Sequence, residues 1–253
     1  MEDSTIRFTG RAADYSTSRP SYPARLLDIL RTEVGFSKTE DVADIGSGTG
    51  LLSMIFLENG NRVFGVEPND DMRIFAEHRL QNFPNFVSVK ARAEGTGLAK
   101  ASIDLVTVGQ ALHWFHLDQA RKEFRRILKE TGHLCIVYND RNNDDVFMKE
   151  YDAIVGRYAR NRAKVPEITK YYLSEWFRDG SFREFTVPNA QYLDLEHLLG
   201  RMLSASYMPS ATDPKTLRLR LEVAQLFESH ARDSMVRLLY ETRVIVGRPR
   251  TVD

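Results

Sequence analysis

Three glycines stand at every second position of DVADIGSGTGLLSMIF, residues 41–56: Gly46, Gly48 and Gly50. A short strand-like run precedes them and an apolar, helix-like run follows. A glycine turn between a strand and a helix lets backbone approach a ligand closely. The helix start adds free N–H groups and partial positive charge. In open α/β sheets, ligands sit beyond the carboxyl ends of the strands, where strand order reverses. This turn lies there if the first strand is central.

The flanking sequence supports such a sheet. ARLLDILRTEV places Leu26, Leu27, Leu30 and Val34 on one helical face. After the glycine turn, LLSMIFLENG reads as a helix stopped at Asn59-Gly60, and RVFGVEP as a second strand. NDDMRIFAEHRL reads as a helix with Asn69 as its N-cap. FVSVKARA and SIDLVTVGQAL are a third and a fourth strand, the latter apolar like strands buried on both faces. LDQARKEFRRILKETG reads as a helix capped by Gly132, and HLCIVYND as a fifth strand. The alternation predicts an α/β, Rossmann-like, mostly parallel sheet with helices on both faces.

The remainder changes character. Residues 141–180 and 195–235 read as helical and are expected to form a lid over the ligand edge. FREFTVPNAQYLD and MVRLLYETRVIVG, within 181–194 and 236–247, supply two more strands, making seven. Pro188 puts the first of these at an edge. We expect a single domain over 1–253, with 24–140 as its ligand-binding core.

Bulk properties exclude several classes. Lys+Arg and Asp+Glu both total 35 in 253 residues, so a dominant nucleic-acid role has no basic excess to support it. No apolar run is long enough to span a bilayer, and the polar opening shows no secretory leader. Cys135 is the one cysteine, so no intrachain disulfide forms. We expect a buried, inert thiol and a cytoplasmic protein.

Spacing narrows the ligand. The dinucleotide fingerprint G-x-G-x-x-G/A fails, because its last position falls on Leu51 or Ser53. No P-loop is present. What stands is D-x-G-x-G-x-G, with Asp44 two residues before the first glycine. Glu67, ending the second strand, suits the two hydroxyls of a ribose. The pattern asks for an adenosine-like ligand without a pyrophosphate. No cluster has metal-ligand spacing; NDD at 69–71 and NDRNNDD at 139–145 read as helix caps and a solvated loop.

VADIGSGTGLLS, VFGVEPND, ARAEGTGL and SIDLVTVGQALHWF together resemble the class I S-adenosylmethionine-dependent methyltransferases. The resemblance covers about residues 7–138, including the opening RFTGRAADYSTSRPSYP. It is nearest the small-molecule group with His-Trp after the fourth strand, of trans-aconitate and ubiquinone-biosynthesis type. It implies that S-adenosylmethionine is the cofactor and that residues 1–23 fold over it. Gly46, Ser47, Gly48 and Gly50 would line its methionine part, with Asp44 near its amino group or a loop amide. Glu67 would hold the ribose, with Pro68 and Asn69 beside the adenine and Ala93 and Glu94 at its edge. Gln110 would lie under the methionine moiety, and Tyr15 and Arg19 would close over it. Arg92 stands where many relatives carry an acidic residue, so the polar adenine contact passes to Glu94 or to backbone.

The acceptor side is less defined. His113 follows the fourth strand and is either a general base or substrate partner, or one member of a packing motif with Trp114. SASYMP offers Ser206, Tyr207 and Met208, with Tyr207 beside the acceptor. Arg201, Arg218 and Arg220 either bind an acidic substrate or lie on an exposed helix face. The function expected is methyl transfer to O or C of a small carboxylic acid or a quinone- or phenol-like ring. The alternative is a catalytically silent cofactor-binding protein.

Overall fold

The computed structural model describes residues 19–159, 170–205, 207–210 and 212–250. Helix α1 (Arg25–Val34) buries Leu26, Ile29 and Leu30. The predicted alternation follows: β1 (Asp41–Ile45), α2 (Leu51–Glu58), β2 (Arg62–Val66), α3 (Asp70–Arg79), β3 (Phe86–Val89), β4 (Ile103–Gly109), α4 (Leu117–Ile127) and β5 (Leu128–Arg141). The chain continues with α5 (Val146–Tyr158), α6 (Lys170–Ser174), β6 (Arg183–Leu193), α7 (Leu195–Leu203), α8 (Lys215–His230) and β7 (Val236–Gly247).

The strands make one seven-stranded sheet in the order β3-β2-β1-β4-β5-β7-β6. β1 to β5 pair in parallel, and β7 runs antiparallel to β5 and β6. β1 is central, and strand order reverses between β1 and β4. The glycine turn leaves β1 at that reversal, where a crevice opens between diverging connections.

Alternate strand residues feed two cores, as a sheet covered on both faces requires. Ala43, Ile45, Val106, Val108 and Ile136 pack with Phe124 and Trp176 on one side. Val42, Leu105, Cys135 and Val137 pack with Leu26, Leu30, Leu52 and Phe56 on the other. Burial pushes the Cys135 thiol up to about 12, so the sulfur stays protonated at neutral pH.

A third core lies past the carboxyl edge of the parallel strands. β4 ends its pairing at Gly109↔Val137, but β5 and β7 continue together from Tyr138↔Arg243 to Arg141↔Tyr240. On this extension α5, α7 and α8 bury Tyr151, Leu198, Met202, Leu219 and Val223 against Leu238 and Tyr240.

Two expectations are corrected. Gly132 does not cap α4, which ends at Ile127; it lies within β5. Sheet pairing matches Ile103 with Leu128 and Leu105 with His133, so 129–132 bulge out opposite Asp104. Burial of both Ile127 and Leu128 draws the chain into the sheet before a cap can form. The segment 141–180 also divides. α5 joins the third core, whereas Leu173, Trp176 and Phe177 join the main core, with Trp176 stacked 5.6 Å from Phe124. The aromatic content of that stretch therefore serves the sheet. Pro188 does sit on an edge strand, since β6 pairs only with β7. No helix among the described residues is long and apolar enough to cross a membrane.

Candidate active site

All three glycines of the turn have positive φ: 70° at Gly46, 54° at Gly48 and 78° at Gly50. Side-chain-bearing residues pay about 1–2 kcal/mol for that conformation. Space adds a second constraint. A Cβ on Gly46 would lie 2.7 Å from Ala111 Cβ, and one on Gly50 would lie 2.7 Å from Leu80 Cδ1. A Cβ on Gly48 would meet nothing within 4 Å. Gly46 and Gly50 are thus small because protein surrounds them, and Gly48 faces the open crevice. The N–H groups of Gly46 and Ser47 both donate to Val66 O, at 2.8 and 3.1 Å, which fastens the turn to the end of β2.

Glu67 fastens it again. Its Oε2 accepts from Gly48 N at 2.9 Å and its Oε1 from Asn69 N at 2.9 Å. Burial raises the carboxyl's pKa, and these two backbone donors oppose the rise. Asp44 is more enclosed, 1% exposed. Its Oδ2 accepts from Ser53 Oγ at 2.6 Å, while Oδ1 is buried without a partner. Burial raises its pKa to about 7, with the Ser53 hydrogen bonds pulling against it. The carboxyl group therefore titrates within the neutral range.

A cleft opens over the turn, lined by Gly46, Gly48, Glu67, Pro68, Ala93, Glu94, Gln110 and Trp114 among others. Eight of the residues anticipated from sequence thus meet at one crevice. Glu94 is held by two groups: His116 N donates to its Oε1 at 2.8 Å, and Arg92 Nε lies 3.6 Å from its Oε2. This joins the loop after β3 to the loop after β4. Gln110 has φ 57°, a strained conformation for a residue with a side chain. Its Nε2 donates to Asn139 O at 3.1 Å. His113 is half-buried and stacks against Trp114 at 4.7 Å, one residue back from the cleft wall.

Other anticipated residues stand apart. Asn69 accepts from Met72 N at 3.0 Å as the N-cap of α3 and does not line the cleft. Arg19 donates to Ser204 O at 3.5 Å and lines a neighbouring cleft with Leu51 and Gln191. Tyr207 packs against the third core. Tyr15 and Ser206 lie outside the described residues. Met72, Ala111 and Phe115 also line the main cleft, though sequence reasoning did not single them out. Phe115 had a signal, since it completes the HWF triplet; Met72 had none. Arg201 is not on an exposed face: it is 6% exposed. Arg218 is solvent-exposed, as is Arg220.

The features of the crevice suit an adenosyl amino acid. Gly48 leaves room for close approach, and Asp44 holds an unpartnered buried oxygen within β1 beside the turn. Among the described residues, no group of three His, Cys, Asp or Glu side chains is placed to hold a metal ion.

Residues 43–136, from β1 to β5 and spanning this crevice, match the methyltransferase domain family. The protein is an S-adenosylmethionine-dependent methyltransferase, with S-adenosylmethionine as its cofactor. The chain is similar to an uncharacterised methyltransferase-like protein of Schizosaccharomyces pombe, 26% identical over 93% of this chain and 92% of the relative. It is similar to an uncharacterised methyltransferase of Mycobacterium tuberculosis, 29% identical over 90% of this chain and 88% of the relative. Among solved structures it shares its fold with a putative type II methyltransferase of Anaeromyxobacter dehalogenans. That match has a TM-score of 0.66 and 23% identity, over 91% of this chain and 97% of the other.

Proposed function

We propose that the protein methylates O or C of a small acceptor, either a carboxylic acid or a quinone- or phenol-like ring. In this reading it acts as a His-Trp enzyme of trans-aconitate or ubiquinone-biosynthesis type. The single observation that carries the reading is the crevice itself. Its glycine turn, Glu67 and Gln110 converge at the strand-order reversal, and the third core rises beside them.

In this reading Gly46, Ser47, Gly48 and Gly50 bear the methionine part of the cofactor. Glu67 retains lone pairs toward the ribose after accepting its two backbone N–H groups. Pro68, Ala93 and Glu94 border the adenine, and Asp44 answers the amino acid's positive charge. The cofactor supplies an already activated methyl group. The chain's own contribution is alignment of the acceptor and exclusion of water. α5, α7 and α8, drawn from the lid segments expected over 141–180 and 195–235, form the cover that does this. His113, stacked on Trp114, receives a proton if the acceptor arrives protonated and orients it otherwise.

Calorimetry with S-adenosylhomocysteine, followed by methyl transfer to a panel of acids and phenols, tests the reading. Binding with turnover supports it. Binding without turnover on any member would leave a silent cofactor binder. The His113→Ala variant should retain cofactor affinity within about twofold and lose about 10²-fold or more in turnover if His113 moves a proton.

A further inference from the structure

Several sheltered arginines of this protein sit on carboxylates. Arg73 pairs with Glu77, Arg121 with Glu175, Arg141 with Asp152 and Arg243 with Glu184. Arg201, on α7, is more deeply buried than any of these at 6% exposure, yet has no carboxylate partner among the described residues. Its Nε donates to Tyr240 Oη at 3.0 Å, and its guanidinium lies 5.8 Å from the centre of that ring. Tyr151 and Tyr207 are its other near phenols. A guanidinium cannot shed its proton to escape burial. Neutral phenols and one ring face compensate only part of the cost of desolvating a charge.

The free end of the group is unsatisfied among the described residues. Its two Nη nitrogens make no hydrogen bond among the described residues. Their surroundings lead toward the cofactor turn. Tyr240 Oη donates to Gln191 Oε1 at 3.4 Å, and Gln191 lines a cleft with Arg19 and Leu51, the first residue after the glycine turn. The same helix end holds Arg19 through Ser204 O.

We propose that Arg201 anchors a carboxylate of the methyl acceptor. The inference rests on the methyltransferase reading above and narrows its acceptor class. The two Nη groups offer the parallel donors that a carboxylate accepts in a fork. A carboxylate held so has its lone pairs engaged and is a poor nucleophile. The methylated atom is then a second group on the same molecule, so the acceptor carries a carboxylate and another acidic or hydroxyl function.

The test uses the intact protein saturated with S-adenosylhomocysteine. Succinate, glutarate, adipate and 3-(4-hydroxyphenyl)propionate are titrated by calorimetry, each against the analogue with one carboxylate converted to an amide. At least one acid should bind and its amide should bind at least tenfold more weakly. Arg201→Gln should lose that acid binding at least tenfold while holding S-adenosylhomocysteine within twofold of wild type. Arg201→Lys, which keeps the charge without the fork, should fall between them. If Arg201→Gln does not fold, Arg201→Lys and the acid-against-amide comparison on wild type carry the test. The proposal is overturned if no acid binds wild type, if acid and amide bind alike, or if neither substitution weakens the acid. It is also overturned if Arg201→Gln loses S-adenosylhomocysteine instead, which would make Arg201 a cofactor residue. Failure of wild type to bind S-adenosylhomocysteine at all would remove the underlying reading rather than the anchor.

Discussion

Glu67 Oε2 accepts the N–H of Gly48 at 2.9 Å, so the acid that ends β2 holds the middle of the glycine turn that ends β1. Its other oxygen holds Asn69 N, at the start of α3. One side chain thereby sets the position of two cofactor-facing loops before any ligand arrives.

Removing that carboxylate should loosen both loops and delete the proposed ribose acceptor. Glu67→Ala is expected to weaken S-adenosylhomocysteine binding by about 1–3 kcal/mol, the scale of a lost hydrogen bond to a charged group. Glu67→Gln should recover only part, because its amide NH₂ must face one of two backbone donors. Calorimetry on both variants decides; an unchanged dissociation constant in Glu67→Ala would refute the assignment.

The glycines of the turn differ in what they tolerate. Gly46→Ala meets both a positive φ and Ala111 at 2.7 Å, whereas Gly48→Ala meets only the φ. Urea unfolding should show Gly46→Ala losing about 2–4 kcal/mol, against about 1–2 for Gly48→Ala. Gly48→Ala should instead lose cofactor affinity, since its Cβ enters the crevice.

Asp44 makes the cofactor-free protein sensitive to pH. Its pKa is raised by burial from 3.8 unfolded to about 7 folded. Between those values the folded state binds the extra proton, so stability is full below about pH 4 for this group. It declines as pH rises toward about 7 and is lost above. The melting temperature of the cofactor-free protein should therefore fall from pH 6 to pH 8 through this group, and Asp44→Asn should flatten that fall. Cofactor affinity should move the other way, rising with pH through about 7 as the ionised carboxylate meets a cationic ligand. Calorimetry at pH 6 and pH 8 checks the second half.

Gln110 holds a strained backbone at the crevice. Gln110→Gly should relieve about 1 kcal/mol of left-handed strain, offset by the lost bond to Asn139 O, so its melting temperature should match or exceed wild type. Its kcat/KM should nonetheless fall if, as the proposed function has it, the side chain lies under the methionine moiety. Equal activity in Gln110→Gly would show that the strain serves no catalytic end.

The core of the site was legible because its residues are local in sequence. Gly46 to Gly50 and Glu67 to Asn69 are tied to the ends of adjacent parallel strands, and parallel β-α-β geometry brings such ends together whatever the helices contain. Asn69 likewise declared itself as a cap, accepting from the third helical residue, whereas Asp145, read within a solvated loop, caps α5 in the same way. Gly132 misled because a glycine after a helix resembles a cap, and only the pull of Leu128 into the sheet shows otherwise. The burial of Trp176 and of Arg201 was not legible, because an aromatic or a cation on a helix carries no mark of which neighbour covers it.

Sequence by itself therefore determined the mostly parallel sheet, the strand end where a ligand sits and the kind of ligand a three-glycine turn with a distant acid accepts. These follow from short-range backbone geometry and a period of alternation. Tertiary structure alone decided that Asp44 keeps an unpartnered oxygen, that α5, α7 and α8 form a separate core past the sheet edge, and that Arg201 is buried without an acid among the described residues. Burial and charge pairing depend on which distant segments pack together, and no local pattern encodes that.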